Sequence, residues 1–276
     1  FGVMFHHFHN NNSQKYGQGS INKKEFEKII IFLRKNFNLL NPNEWVSKLE
    51  NENLRKKDIC ITFDDAILSQ YTIALKILDK YKIKAFWFVY SSVFEGKIDN
   101  FEIHRKFRSK YYKNFDKFYD DFIIMAKLKN NFFNNSNEYR KFYKKMKKFY
   151  PIYSLKDIKF RYIRDYVLDE NSYNKVLKKM MNYKKTSLKK LSKNLWLKNY
   201  HLKKLSDKKH IIGMHAYNHP YKLSNYKYEE QYKELKKNYK HLKNVLNIKP
   251  ISISYPNGSF NNITLKIIKK LKVKFG

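Results

Sequence analysis

The chain has 276 residues, 17 % of them aromatic, and a formal net charge of +35. That length fits one large domain, or a domain with a sizeable insert, and it allows a real core. The charge invites a nucleic-acid reading, but only seven of the 59 basic residues are Arg, the residue that base readers use for bidentate contacts, and no recognition motif appears.

In chain order, residues 2–9 (Gly-Val-Met-Phe-His-His-Phe-His) read as a strand with a histidine-rich end. Residues 10–19 form a polar loop with Gly17 and Gly19. Ser20 or Asn22 can cap a helix whose Phe26, Ile29, Ile30 and Leu33 follow helical spacing. A further helical turn starts at 41–44 around Trp45 and Leu49. Residues 57–61 read as a short buried strand that runs into Thr62-Phe63-Asp64-Asp65. Tyr71, Ala74, Leu75 and Leu78 mark a helix, and 83–89 another strand. Strand, helix, strand in this rhythm predicts an α/β fold with a parallel sheet or barrel, which places chemistry at the C-terminal ends of its strands.

Residues 97–207 break the rhythm. No Gly lies between Gly96 and Gly213, and Pro151 is the one proline. Amphipathic helical patterns cover 101–129, 138–149, 155–168 and 173–183. Such an insert either grips an acidic or sugar-rich substrate with its aromatics and amines, or packs its aromatics into its own core with the lysines solvated. Aromatic stripes at helical spacing favour the second. The α/β rhythm returns with a short helix from Leu202, a strand at 210–212, a helix at 228–246, a strand at 251–254 and a helix at 262–271. Residues 272–276 look like a strand cut short, so a fragment of a longer protein is expected.

Three stretches carry chemistry. Asp64 and Asp65 sit where a strand ends, so both can reach one cleft, one coordinating a cation and the other free as a base. A solvated pair capping the next helix is the plain alternative. In Gly213-Met214-His215-Ala216-Tyr217-Asn218-His219-Pro220, two histidines four apart have a usual spacing for imidazoles on a divalent metal. One carboxylate plus two imidazoles, with positions left open, is a hydrolytic metal site. At 255–258 (Tyr-Pro-Asn-Gly), Gly258 permits a tight turn with free backbone N–H groups that can face an oxyanion. An ordinary Pro-x-Gly turn is the alternative there.

Thr62-Phe63-Asp64-Asp65 and His215-Ala216-Tyr217-Asn218-His219-Pro220 resemble the first two motifs of the polysaccharide deacetylases, carbohydrate esterase family 4 (NodB-like). Ser254-Tyr255-Pro256-Asn257-Gly258 resembles the third. The family's second-motif Ser or Thr is Ala216 here, and the Arg that braces the catalytic acid in many members falls at Ser254. Met4-Phe5-His6 and the Tyr-Pro-x-Gly form look like the circularly permuted poly-N-acetylglucosamine deacetylases. The fold class expected is α/β, a distorted, incomplete (β/α) barrel formed by 1–96 and 208–276, with a large helical insertion (cap) at 97–207.

The resemblance implies a metal-dependent hydrolase that removes N-acetyl groups from a carbohydrate. Asp65, His215 and His219 would hold a divalent metal, expected to be Zn²⁺. Asp64 would be the base, the Asn257 N–H the oxyanion donor and His6 the acid. His7 is second choice for the acid, since adjacent strand residues face opposite ways. His7, Tyr255, Pro256 and Tyr217 are expected at the substrate. A catalytically impaired glycan-binding relative is the first alternative, and a basic nucleic-acid-binding protein the second. Cys60 is the only cysteine, so no internal disulfide is expected. No apolar run reaches the ~18–20 residues of a membrane span. The N-terminus shows no leader pattern, although a leader removed before Phe1 stays open. A bacterial, cytoplasmic setting is expected, with an N-acetylated carbohydrate as partner and no specific nucleic acid.

Overall fold

Every residue of β3 (Asp58–Phe63) and of β4 (Ala85–Val89) is buried. Strands hidden on both faces belong at the centre of a parallel sheet covered on both sides. In the computed structural model, which describes residues 1–10, 19–128, 133 and 136–276, they hold that place. The strand order is β1 (Gly2–Phe5), β3, β4, β5 (Ile211–Met214), all parallel, with β2 (Asn38–Leu39) paired to the start of β3. The loop expected at 10–19 lies almost wholly outside the described residues.

The register brings the strand ends to a common rim, with Phe5 opposite Phe63 and Val89 opposite Met214. Beyond β5 the sheet continues only as single parallel pairings, Met214 with Ile253 and Ser252 with Phe275. Among the described residues the sheet stays open, an incomplete barrel. β1 pairs with β3, where the Cys60 and Asp64 N–H groups donate to the carbonyls of Phe1 and Phe5 at 3.0 and 3.4 Å. Gly213 serves a close approach within this sheet, because a Cβ there would stand 2.4 Å from the Phe88 ring and 2.7 Å from Ser252 Oγ.

The helices form where the apolar spacing places them. Asn22 caps α1 (Lys23–Asn36) in a reciprocal box with Glu25, at 3.0 and 2.7 Å. Phe26 of α1 meets Phe5 edge-on at 5.0 Å and Phe8 at 5.1 Å. α2 (Pro42–Glu50) begins with a proline, whose missing N–H costs nothing at that position. A π-helical turn, Gln70–Ala74, opens α3 (Leu75–Lys80). Phe63 stacks on Trp87 at 4.4 Å in the middle of the core.

The chain divides into two compact units, 1–99 with 194–276, and 100–193. The second holds α4 (Asn100–Tyr111), α5 (Phe115–Ala126), α6 (Asn137–Phe149), α7 (Leu155–Tyr162), α8 (Glu170–Tyr183) and α9 (Leu188–Ser192). Its Phe107, Phe118, Phe122 and Phe160 are buried, so these aromatics pack inward, while Phe101, Phe149, Tyr150, Tyr166 and Tyr183 stay exposed. The single helical pattern read at 101–129 is two helices, because Asn114 stops the run and caps α5 through the Lys117 N–H at 2.9 Å. The first unit resumes with α10 (Asn199–Asp207), the short helix expected from Leu202, so the unit takes in residues that the expected insert bound at 207 left out. Its Leu202 and Leu205 are buried in the core of the sheet unit. α11 (Tyr228–Leu246) and α12 (Asn262–Lys270) complete that unit.

Candidate functional site

Asp64 and Asp65 follow β3 at its C-terminal rim. Asp65 has φ of 74°, so the chain turns sharply after Asp64 and the two side chains meet different partners. Gln70 Nε2 donates to the carbonyls of Asp64 and His6, at 2.5 and 2.8 Å, and ties the ends of β3 and β1 together. The Ser254 hydroxyl donates to Asp64 Oδ2 at 2.8 Å, while Oδ1 is buried with no hydrogen-bond partner. Burial pushes the Asp64 carboxyl above its ordinary range, partly offset by the imidazoles of His215 and His6.

After Met214 the chain enters a loop, residues 215–220, with Ala216 and His219 at φ of 60° and 55°. α11 supports it. Asn238 accepts from the His215 N–H at 2.9 Å and donates to the Val89 carbonyl at 3.0 Å. Glu234 accepts from the N–H groups of Tyr217 and Asn218, at 3.2 and 2.8 Å, and from the Asn218 side chain at 2.6 Å. His215 Nδ1 lies 2.7 Å from the Ser254 carbonyl. A carbonyl only accepts, so Nδ1 carries a proton, and in the neutral ring Nε2 keeps its lone pair. That Nε2 lies 3.3 Å from Asp65 Oδ1, and His219 Nε2 lies at the same distance from it.

Asp65, His215 and His219 thus bring one ligand atom each within 4.8 Å of one another. Asp65 Oδ1 is buried and accepts no well-formed hydrogen bond although two imidazole nitrogens stand beside it. Electron pairs gathered this way repel unless a cation stands among them. Two imidazoles and a carboxylate suit a divalent ion of the zinc type. Burial opposes ionisation of Asp65, but the neighbouring His215 and His219, when protonated, outweigh it and hold the carboxyl well below the usual range.

His6 also reaches this cluster, with Nε2 3.8 Å from Asp65 Oδ2. The expectation that His6 and His7 face opposite ways fails. β1 ends at Phe5, so the strand alternation has stopped, and the two rings stack at 5.7 Å. A ring nitrogen of His7 also comes within 4.8 Å of an Asp65 oxygen.

At residues 255–258 the turn is closed by the Gly258 N–H to Tyr255 O and the Ser259 N–H to Pro256 O, both 2.9 Å. The Asn257 N–H takes no part in these two bonds, and Asn257 stands exposed at φ of 53°. Pro256 is buried, and Tyr255 stacks on Phe260 at 4.7 Å. Tyr217 does not sit where a substrate residue was expected. It is 3 % exposed, its hydroxyl donates to Glu95 at 2.5 Å, and its ring lies under Lys97 and Lys237.

Ser254, Gln70, Glu234 and Asn238 were not foreseen as site residues. Ser254 appeared only as a departure from an expected Arg. For Glu234 and Asn238 a signal existed, because two polar residues four apart, with Gln231 and Leu235, share the face that α11 buries.

The family model for polysaccharide deacetylase matches residues 51–107 and 165–276. Solved structures share the fold. A Streptococcus pyogenes deacetylase, PplD, in complex with acetate, is 19 % identical, matches all of this chain and 81 % of that one, and has a TM-score of 0.56. IcaB from Ammonifex degensii is 14 % identical over 98 % of this chain and 80 % of that one, with a TM-score of 0.55. A de-N-acetylase from Aggregatibacter actinomycetemcomitans is 12 % identical over 98 % and 84 %, with a TM-score of 0.56. No curated protein matches by sequence. The family match spans more than half of the chain and takes in both acids and both histidines that converge at the rim, so this chain belongs to the polysaccharide deacetylase family.

Proposed function

We propose that the chain hydrolyses N-acetyl groups on a carbohydrate, with a divalent cation, expected to be Zn²⁺, held by Asp65, His215 and His219. The convergence of both imidazole Nε2 atoms on the buried, otherwise unpartnered Asp65 Oδ1 carries this reading. When bound, the cation would supply a Lewis acid that makes water a better nucleophile and polarises the amide carbonyl.

The chain's own groups do the rest. Asp64, held by the Ser254 hydroxyl, accepts the proton of the attacking water. The Asn257 N–H, by family resemblance, donates to the carbonyl oxygen as it gains charge. The leaving amine needs a proton, and His6 beside Asp65 is the donor we assign. Water adds to the carbonyl carbon, the C–N bond breaks, and acetate and a free amine result.

The test is metal analysis of the purified protein with amine release assayed on N-acetylated sugars and oligosaccharides. Metal at one per chain together with amine release supports the reading. Bound metal with no amine release on any of them favours the second reading, a glycan-binding relative without turnover, which the loss of the family Arg at Ser254 motivates.

A further inference from the structure

We propose that the turn joining α6 to α7 is a docking tip that seats on an anionic lipid surface. In this turn and at the helix ends that flank it, Phe149 is 62 % exposed, Tyr150 48 %, Ile152 74 % and Leu155 50 %. Single exposed apolar residues are ordinary, but a contiguous group of this kind marks an interaction surface.

The turn is already ordered. The Tyr150 N–H donates to Met146 O at 2.8 Å, the Tyr153 N–H to Tyr150 O at 3.0 Å, and Lys147 Nζ to Tyr153 O at 3.0 Å. Tyr150 and Tyr153 stack at 5.2 Å, and Ser154 caps α7 through the Asp157 N–H. A held turn loses little conformational entropy on docking.

Charge names the partner. No acidic residue occurs between Glu138 and Asp157, while Lys144, Lys145 and Lys148 stand exposed at the end of α6 beside Lys147, whose ammonium holds the turn. Lysine stems lie along apolar surface and lift their ammonium groups to lipid phosphates, as the apolar tip enters the headgroup boundary. Ile152 and Leu155 are aliphatic, which favours lipid over a sugar chain, for which aromatic faces alone would serve. The exposed cations at the end of α6 are Lys, and Arg161 is held over the Tyr153 ring at 4.0 Å, which disfavours nucleic-acid reading.

The full chain is tested by co-sedimentation with vesicles of phosphatidylcholine alone and of phosphatidylcholine with phosphatidylglycerol. A protein of this charge binds anionic vesicles loosely at low salt, so binding is compared at about 0.15 M salt, where the screening length is ~8 Å. The wild type is expected to bind the anionic vesicles and not the neutral ones. The double variant Phe149→Ser with Ile152→Ser keeps the charge and alters only exposed positions, and it should bind on the order of tenfold more weakly. Ile152→Trp should show a blue-shifted emission on vesicles. Equal binding by wild type and double variant, or an unshifted Trp, would overturn the proposal, as would equal capture by soluble dextran sulfate in competition with vesicles. Metal content and amine release use none of these positions, so the two readings fail separately.

Discussion

At the scale of single residues, the proposed metal site would rest on Asp65, His215 and His219 together. Asp65→Ala or His215→Ala is expected to abolish metal retention after dialysis, and a full equivalent of metal in either variant would refute the ligand set. Asp64 differs in kind. Its Oδ2 accepts from Ser254 and it is not among the three. Asp64→Asn should therefore keep the metal and lose ~10²–10⁴-fold in turnover, because the amide keeps the shape but cannot take a proton. His6 is checked by leaving group. His6→Ala should cost ~10²–10⁴-fold on an N-acetyl sugar, whose amine leaves only when protonated, and little on an activated aryl acetate. Equal losses on both would remove His6 as the acid.

At the scale of elements, α11 positions the histidine loop. Asn238 is fully buried and bridges the end of β4 to His215, and Glu234 four residues earlier holds the next two amides. Partners that orient a ligand are commonly worth ~10–100-fold in metal affinity. Asn238→Ala should lower metal affinity by about that factor in competition with a chelator, although it touches no ligand atom. The same variant leaves the Val89 carbonyl and the His215 N–H without this partner, a cost of ~1–3 kcal/mol for each buried group. An unchanged chelator titration would make Asn238 a fold residue alone.

At the scale of the whole molecule, buried neutral histidines set the acid response. His210 is 4 % exposed, accepts from the Ala85 N–H at 3.0 Å, and is pushed by burial down to about 4. In the unfolded chain it titrates near 6.5, so below that pH the unfolded state binds a proton that the folded state refuses. Its contribution is complete above about pH 6.5 and is lost as pH falls toward 4, a change of about 3 kcal/mol. His104 in the other unit is pushed to about 4 for the same reason. Urea midpoints should fall across this window, and His210→Asn, which keeps an acceptor for Ala85, should flatten part of the slope.

The sequence by itself determined the parallel α/β rhythm, the Asn22 cap and the motifs that carry both acids and both histidines of the matched family. These follow from local chemistry: apolar runs too buried for one-sided cover, side-chain caps, and imidazoles and carboxylates at strand ends. The tertiary structure alone decided how these parts meet. Pairing of β1 with β3 brings His6 to Asp65, and the end of β1 at Phe5 lets His6 and His7 stack instead of opposing. Ser254 became the partner of Asp64 and Tyr217 a buried brace on Glu95 because of what lies opposite them in space. Glu234 and Asn238 belong to the site for the same reason. A hydrogen bond across 190 residues, such as Ser254 to Asp64, leaves no periodicity along the chain to be read.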